Sequence, residues 1–162
     1  MRSKLYVSLG SNEGDRLLNL INSINLLKER FKILAHSSVY LTEAVGFEGR
    51  EFLNMCLLLS TDLNPFESLK FLLEIEKKLG RKSKGKPYRD RTIDIDILLW
   101  KNLTIKSPDL TIPHPEIEKR DFVNIPLLEI FSMDHDNFGY SPKVRGDKRV
   151  LKVVQWEALR ID

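Results

Sequence analysis

The stretch "RTIDIDILLW", Arg91 to Trp100, sets Asp94 and Asp96 inside a run of isoleucines and leucines. The branched residues favour a strand, while carboxylates disfavour one and are costly to bury. On a strand alternate residues share a face, so Arg91, Ile93, Ile95 and Ile97 point one way and Thr92, Asp94 and Asp96 the other. The isoleucines require a core. The stretch therefore predicts a sheet with one apolar side under helices and, on the opposite side, two carboxylates about 7 Å apart at their Cα atoms. At an effective dielectric of ~20 they repel by ~2–3 kcal/mol. A hard divalent cation such as Mg²⁺ converts that repulsion into binding, because it takes oxygen ligands and shares them with phosphates. By itself the same D-x-D spacing also describes a strand whose outer face is merely solvated.

Working outward, Leu5 to Leu9 predicts a short strand ending in the turn composition "GSN". From Asp15 to Arg30 the residues Leu17, Leu18, Leu20, Ile21, Ile24, Leu27 and Phe31 recur at helical spacing, with Asp15 as N-cap. A second strand is predicted over Phe31 to Thr42, a loop over "EAVGFEGREF", and an apolar strand over Phe52 to Asp62. "NPFESLKFLLEIEKKLGR" predicts a helix: Asn64 caps it, Pro65 suits its first turn, Glu67 completes a capping box and Gly80 ends it. After the strand Thr92 to Trp100, a hairpin through "KNL" into Thr104–Ile105, a loop from Pro108 to Pro115 and short helical pieces in "EIEKRDFVNIPLLEIF" follow. The order β-α-β-β-α-β is that of a ferredoxin-like α/β (α+β) domain, a central antiparallel sheet covered by helices. The chain of 162 residues suits a single domain, 1–162. For the tail, Val150, Leu151, Val153, Val154 and Trp156 suit a closing strand or helix, or a partner contact.

Between the second helix and the acidic strand lies "RKSKGKPYRDR", with Arg81, Lys82, Lys84, Lys86, Arg89 and Arg91. Such a run reads as solvated surface, as a nucleic-acid contact with Tyr88 available to stack, or as a phosphate grip. Its position favours the last, since it delivers cations to the start of the carboxylate strand. Carboxylates with a metal beside guanidinium and ammonium groups are what transfer of a phosphoryl-type group requires. Downstream, "TIPHPEIEKRDF" holds His114 between two prolines, followed by Arg120 and Phe122.

Composition narrows the class. A net charge of +3 is too small to argue for a nucleic-acid binder, and the single cysteine, Cys56, excludes an internal disulfide. No apolar run approaches a membrane span or a signal peptide, so the expectation is a cytoplasmic protein with no nucleic-acid or membrane partner.

Taken together and in this order, "GSNEGD", "FLN", "LGR", "RTIDIDILL" and "IPHPEIEKRDFVNIPLLEI" resemble the 6-hydroxymethyl-7,8-dihydropterin pyrophosphokinases of folate biosynthesis, from about Leu5 to Ile130. The resemblance implies transfer of pyrophosphate from ATP to the hydroxymethyl group of a reduced pterin, with AMP released, two Mg²⁺ ions as cofactors and a monomeric enzyme. It implies that Asp94 and Asp96 hold the metals and that Arg81, Arg91, Lys84 and His114 meet the phosphates. It further implies that Phe52 and Phe122 sandwich the pterin, with Asn54 on its edge and Thr42 and Val45 flanking it. Arg120 would approach the hydroxymethyl and phosphate region, and adenine would lie near Ile97 and Thr111. The basic loop departs from the family pattern, with Arg89-Asp90 where Gly-Pro is common and Ser83 where some members have arginine. Two rival readings are another metal-dependent transferase and a nucleic-acid-binding domain. Phe52, Asn54 and Phe122 argue against the first. The paired carboxylates, which repel phosphate, argue against the second.

Overall fold

The computed structural model describes residues 2–44, 48–80, 92–131, 138–146 and 150–154. Among them the chain runs β1 (Ser3–Ser11), α1 (Arg16–Leu27), β2 (Lys32–His36), β3 (Val39–Thr42), β4 (Phe52–Thr61), α2 (Pro65–Lys78), β5 (Asp94–Trp100), β6 (Ile105–Lys106), β7 (Thr111–Ile112), α3 (Asp121–Phe131) and β8 (Val150–Val154). A single 3₁₀ turn, Ile117–Lys119, precedes α3. The main sheet has the order β5-β1-β4-β3-β8, with β2 also on β4, and every pairing is antiparallel. This is the expected ferredoxin-like arrangement with β8 added at one edge.

Both long helices begin where their caps demand. The Asp15 side chain accepts from Leu18 N–H at 3.1 Å. Asn64 and Glu67 form the reciprocal capping box, at 2.8 and 3.0 Å, with Pro65 in the first turn. α1 and α2 present Leu20, Ile24, Leu27, Leu72 and Ile75 to one face of the sheet, where Leu5, Val7, Leu9, Met55, Leu57, Ile93, Ile95 and Ile97 complete the larger core. Among the described residues the opposite face is covered only in part. There α3 lays Val123, Leu127 and Ile130 over Tyr6, Cys56, Leu58 and Leu98, and Phe138 joins them. The remainder of that face carries Asp94 and Asp96.

Two expectations are corrected, and one left open is decided. The stretch Phe31 to Thr42 is two strands, not one, because the chain breaks at Ser37–Ser38. Both serines are buried, and Ser37 exchanges bonds with β4: Ser37 N–H donates to Cys56 O and Cys56 N–H to Ser37 Oγ, both at 2.9 Å. Next, the hairpin through "KNL" stops at one bridge, Trp100 to Leu103, and β6 pairs instead with β7 inside the stretch expected to be loop. Finally, the tail closes the sheet as a strand, β8, paired with β3.

Candidate active site

Register places the site. Across the partly uncovered face, Asp94 on β5 stands opposite Gly10 on β1, Gly10 opposite Asn54 on β4, and Asn54 opposite Tyr40 on β3. The next row reads Asp96, Ser8 and Cys56, and on the other flank Phe52 stands opposite Thr42. Asp94 and Asp96 therefore share a face, as alternation requires, and both are half-buried. Between them the N–H of Ile95 points out of the sheet and donates to Glu76 Oε2 at 2.7 Å. Glu76 is on α2 and only 2% exposed. A carboxylate buried in a helix thus fixes the strand segment that carries the two aspartates.

Among the described residues no cluster of three or more His, Cys, Asp or Glu forms a metal cage. The donor set is two carboxylates on one strand. That fits a hard cation such as Mg²⁺, which completes its shell with phosphate oxygens and water, and does not fit a metal needing an all-protein site.

Two strands from Asp94, roughly 10 Å across the sheet, lies an amide pocket. Asn54 is 7% exposed, and its Nδ2 donates to Thr42 Oγ1 at 2.5 Å. A Cβ placed on Gly10 would lie 2.6 Å from Asn54 Oδ1 and 3.4 Å from Phe52 Cδ1. Gly10 is therefore the gap over which the Asn54 amide lies. This residue was not singled out from sequence, where "LGSN" reads as a turn. The half-buried Phe52 is on the sheet, and Phe122 projects from the first turn of α3, the helix that covers this face. Arg120 stacks on Phe122, its guanidinium carbon 5.5 Å from the ring centroid.

His114 is anchored beside β5, with its N–H donating to Leu98 O at 2.9 Å. Its ring Nδ1 accepts from Glu116 N–H at 3.1 Å, so the neutral ring carries its proton on Nε2. Thr111 is half-buried on β7. Ile97 is not on the aspartate face. Its side chain is packed in the larger core, leaving its backbone on edge strand β5 as what a nucleotide can touch. Arg81, Lys84, Arg91 and Val45 lie outside the described residues.

The loop entering Phe52 is tied down by the first motif. Asn12 Nδ2 donates to Arg50 O at 3.0 Å, Arg16 to Glu51 O at 2.8 Å, and Arg50 to Gly14 O at 2.9 Å. "GSNEGD" therefore works as a clamp on the pocket's entrance strand.

Residues 6–132 match the family model of 7,8-dihydro-6-hydroxymethylpterin-pyrophosphokinase (HPPK). The chain is 46% identical over 127 residues to the 2-amino-4-hydroxy-6-hydroxymethyldihydropteridine pyrophosphokinase of Aquifex aeolicus, covering 78% of this chain and 79% of that protein. The protein of the same name from Bacillus subtilis is 41% identical over 133 residues, covering 80% and 79%. A mitochondrial folate synthesis bifunctional protein of Pisum sativum is 36% identical over 160 residues, covering 96% of this chain and 31% of its own length. Among solved structures, a Plasmodium falciparum HPPK-DHPS variant with SDX-DHP superposes with a TM-score of 0.66 at 15% identity, covering 91% of this chain. This chain spans 44% of that one, and at such identity the likeness is one of fold.

Proposed function

The chain belongs to the 7,8-dihydro-6-hydroxymethylpterin-pyrophosphokinase family, and from that membership we propose how its residues divide the work. It is a transferase of folate biosynthesis that moves pyrophosphate from ATP to the hydroxymethyl group of 6-hydroxymethyl-7,8-dihydropterin, giving AMP and the pterin diphosphate. In this reading Phe52 and Phe122 sandwich the flat pterin, and the Asn54 amide, held by Thr42, reads its polar edge. Thr42 and Val45 add backbone contacts. Asp94 and Asp96 would hold two Mg²⁺ ions, which would supply neutralisation of the phosphate charge. Arg81, Lys84 and Arg91 meet the triphosphate, His114 donates to it from Nε2, and Arg120 approaches the reacting hydroxymethyl and phosphate. Adenine lies against the β5 edge near Ile97 and Thr111.

The reaction is an in-line displacement at the β-phosphorus. The bond from the pterin oxygen to phosphorus forms as the bond to the AMP oxygen breaks, and the hydroxyl proton leaves to solvent. Most of the acceleration then comes from positioning and charge neutralisation. The observation that supports this reading above others is the row Asp94–Gly10–Asn54. It sets the carboxylate pair and the amide on one face, separated by about the length of a two-ring heterocycle with a hydroxymethyl arm. We further propose that the protein acts as a single-domain monomer in the cytoplasm. Among the described residues no helix is long and apolar enough to cross a membrane.

Protein incubated with ATP, Mg²⁺ and the hydroxymethyl-dihydropterin should release AMP and form the pterin diphosphate. AMP release that persists at the same rate without the pterin would reject the assignment.

A further inference from the structure

We propose that residues 138–146 form a brace that sets the pterin grip, and that Asp121 is the positioning residue through which it acts. The inference rests on the pterin reading above. Asp121 sits between Arg120 and Phe122, yet while they are half-buried it is 4% exposed and turned away from the site. A carboxylate buried in this way is costly unless charge-assisted hydrogen bonds replace its water. Here Oδ1 accepts from Arg145 N–H and Oδ2 from Gly146 N–H, each at 2.7 Å. Gly146 has φ +77°, the left-handed geometry that lets two successive amides converge as a nest on one anion.

A second tether reaches the neighbouring peptide. The Tyr140 hydroxyl donates to Asn124 Oδ1 at 2.7 Å, and Asn124 Nδ2 donates to Arg120 O at 2.9 Å and Ile117 O at 2.6 Å. A third anchors the brace itself, since Phe138 is buried with its ring centroid 4.8 Å from that of Tyr6. The peptide Arg120–Asp121–Phe122 is thus held from behind by a segment that lies beyond the match to the family model, which ends at residue 132. Since the Phe122 ring and the Arg120 guanidinium stack on each other, a shift of this peptide moves one wall of the pterin slot and the Arg120 guanidinium together. Displacement of such groups by about 1 Å can weaken function up to a hundredfold.

The test compares wild type, Gly146→Ala, Asp121→Asn and Asp121→Glu by titration with 6-hydroxymethylpterin and, separately, with a non-hydrolysable ATP analogue plus Mg²⁺. All are measured at a temperature where circular dichroism shows each variant folded. Gly146→Ala alters no site residue, and its added methyl meets no atom of the described residues beyond its chain neighbours within 4 Å, so the strained φ is what it changes. The brace predicts pterin affinity about tenfold weaker in Gly146→Ala and in Asp121→Asn. Asp121→Glu should restore it in part, and analogue affinity should change by less than about threefold, because other groups carry the nucleotide. Folded Gly146→Ala with wild-type pterin affinity would overturn the proposal, whatever its melting temperature. If Asp121→Asn fails to fold, Gly146→Ala decides alone. Wild-type protein without pterin affinity would overturn the pterin reading and the brace's role with it, a failure seen before any variant is compared.

Discussion

Gly10 is the residue on which the pocket's shape turns. A methyl there meets the Asn54 oxygen at 2.6 Å, and that amide, buried and bound to Thr42, has little room to retreat. Gly10→Ala should therefore raise KM for the pterin about tenfold or more while leaving KM for ATP near wild type, read from steady-state kinetics with each substrate varied in turn. Asp94→Ala or Asp96→Ala should abolish turnover with the circular dichroism spectrum unchanged. Near-wild-type rates at saturating Mg²⁺ would rule out their metal role. A third residue-scale expectation concerns pH. Burial pushes the Cys56 thiol up, with the Glu129 charge adding to it, and burial likewise raises the Tyr40 phenol, with the charge and hydrogen bond of Glu129 adding. Folded protein then keeps protons that the unfolded chain releases once pH passes about 9 for the thiol and about 10 for the phenol. The unfolded state binds fewer protons in that range, so stability falls as pH rises through it. Urea midpoints measured from pH 8 to 11 should decline, and Cys56→Ala should flatten the early part of the decline. The aspartates were legible in sequence because alternation alone sets their face. Gly10 was not, because what it must make room for stands on a different strand, more than forty residues away.

At the scale of elements, the decisive contact joins α2 to β5. β5 is an edge strand, and an edge leaves backbone groups without a ladder partner. Glu76 accepts the Ile95 N–H at the point between the aspartates. Glu76→Ala removes that acceptor from a buried donor, which costs about 1–3 kcal/mol. Because the affected strand carries Asp94 and Asp96, the Mg²⁺ concentration needed for half-maximal rate should rise as well. A variant that melts lower with an unchanged Mg²⁺ dependence would confine Glu76 to stability. Both helices were readable, since Asp15, Asn64 and Glu67 are local signals whose bonds close within one turn. The break between β2 and β3 was not, because Ser37 and Ser38 are ordinary strand neighbours until β4 supplies partners for the first and Glu129 on α3 for the second. Similarly, β6 and β7 are two residues each and stand on their mutual pairing, with no period for a sequence to display.

At the scale of the whole molecule, the proposed site follows from the unequal covering of the sheet's two faces by the described residues. Among the described residues one face is sealed by α1 and α2, while the other is sealed only as far as α3 and Phe138 reach, and the polar row begins where that cover ends. The sequence announced this inequality on one strand alone, where Ile93, Ile95 and Ile97 alternate with Asp94 and Asp96. The extent of the second cover depends on the tail, whose apolar residues carry no periodic signal strong enough to assign. The same inequality orders local stability. β4 is paired on both sides and buried throughout its length except at Phe52, whereas among the described residues β8 is paired with β3 alone and exposes Leu151, Lys152 and Val153. What holds β8 beyond its ladder is the Glu129 carboxylate, which accepts from Ser38 N–H at 2.6 Å and from Ser38 Oγ at 2.7 Å, lies 3.2 Å from the Tyr40 hydroxyl, and pairs with Lys152 at 3.5 Å. Native-state hydrogen exchange should find β4 and β1 amides opening only with global unfolding and β8 amides opening at much lower free energy. Glu129→Gln should speed exchange in β8 while leaving β1 and β5 unchanged. Equal protection of β8 and β4 would mean that the edge strand is part of the cooperative core, and that the uncovered face is bounded by a rigid rim rather than by a strand that opens on its own.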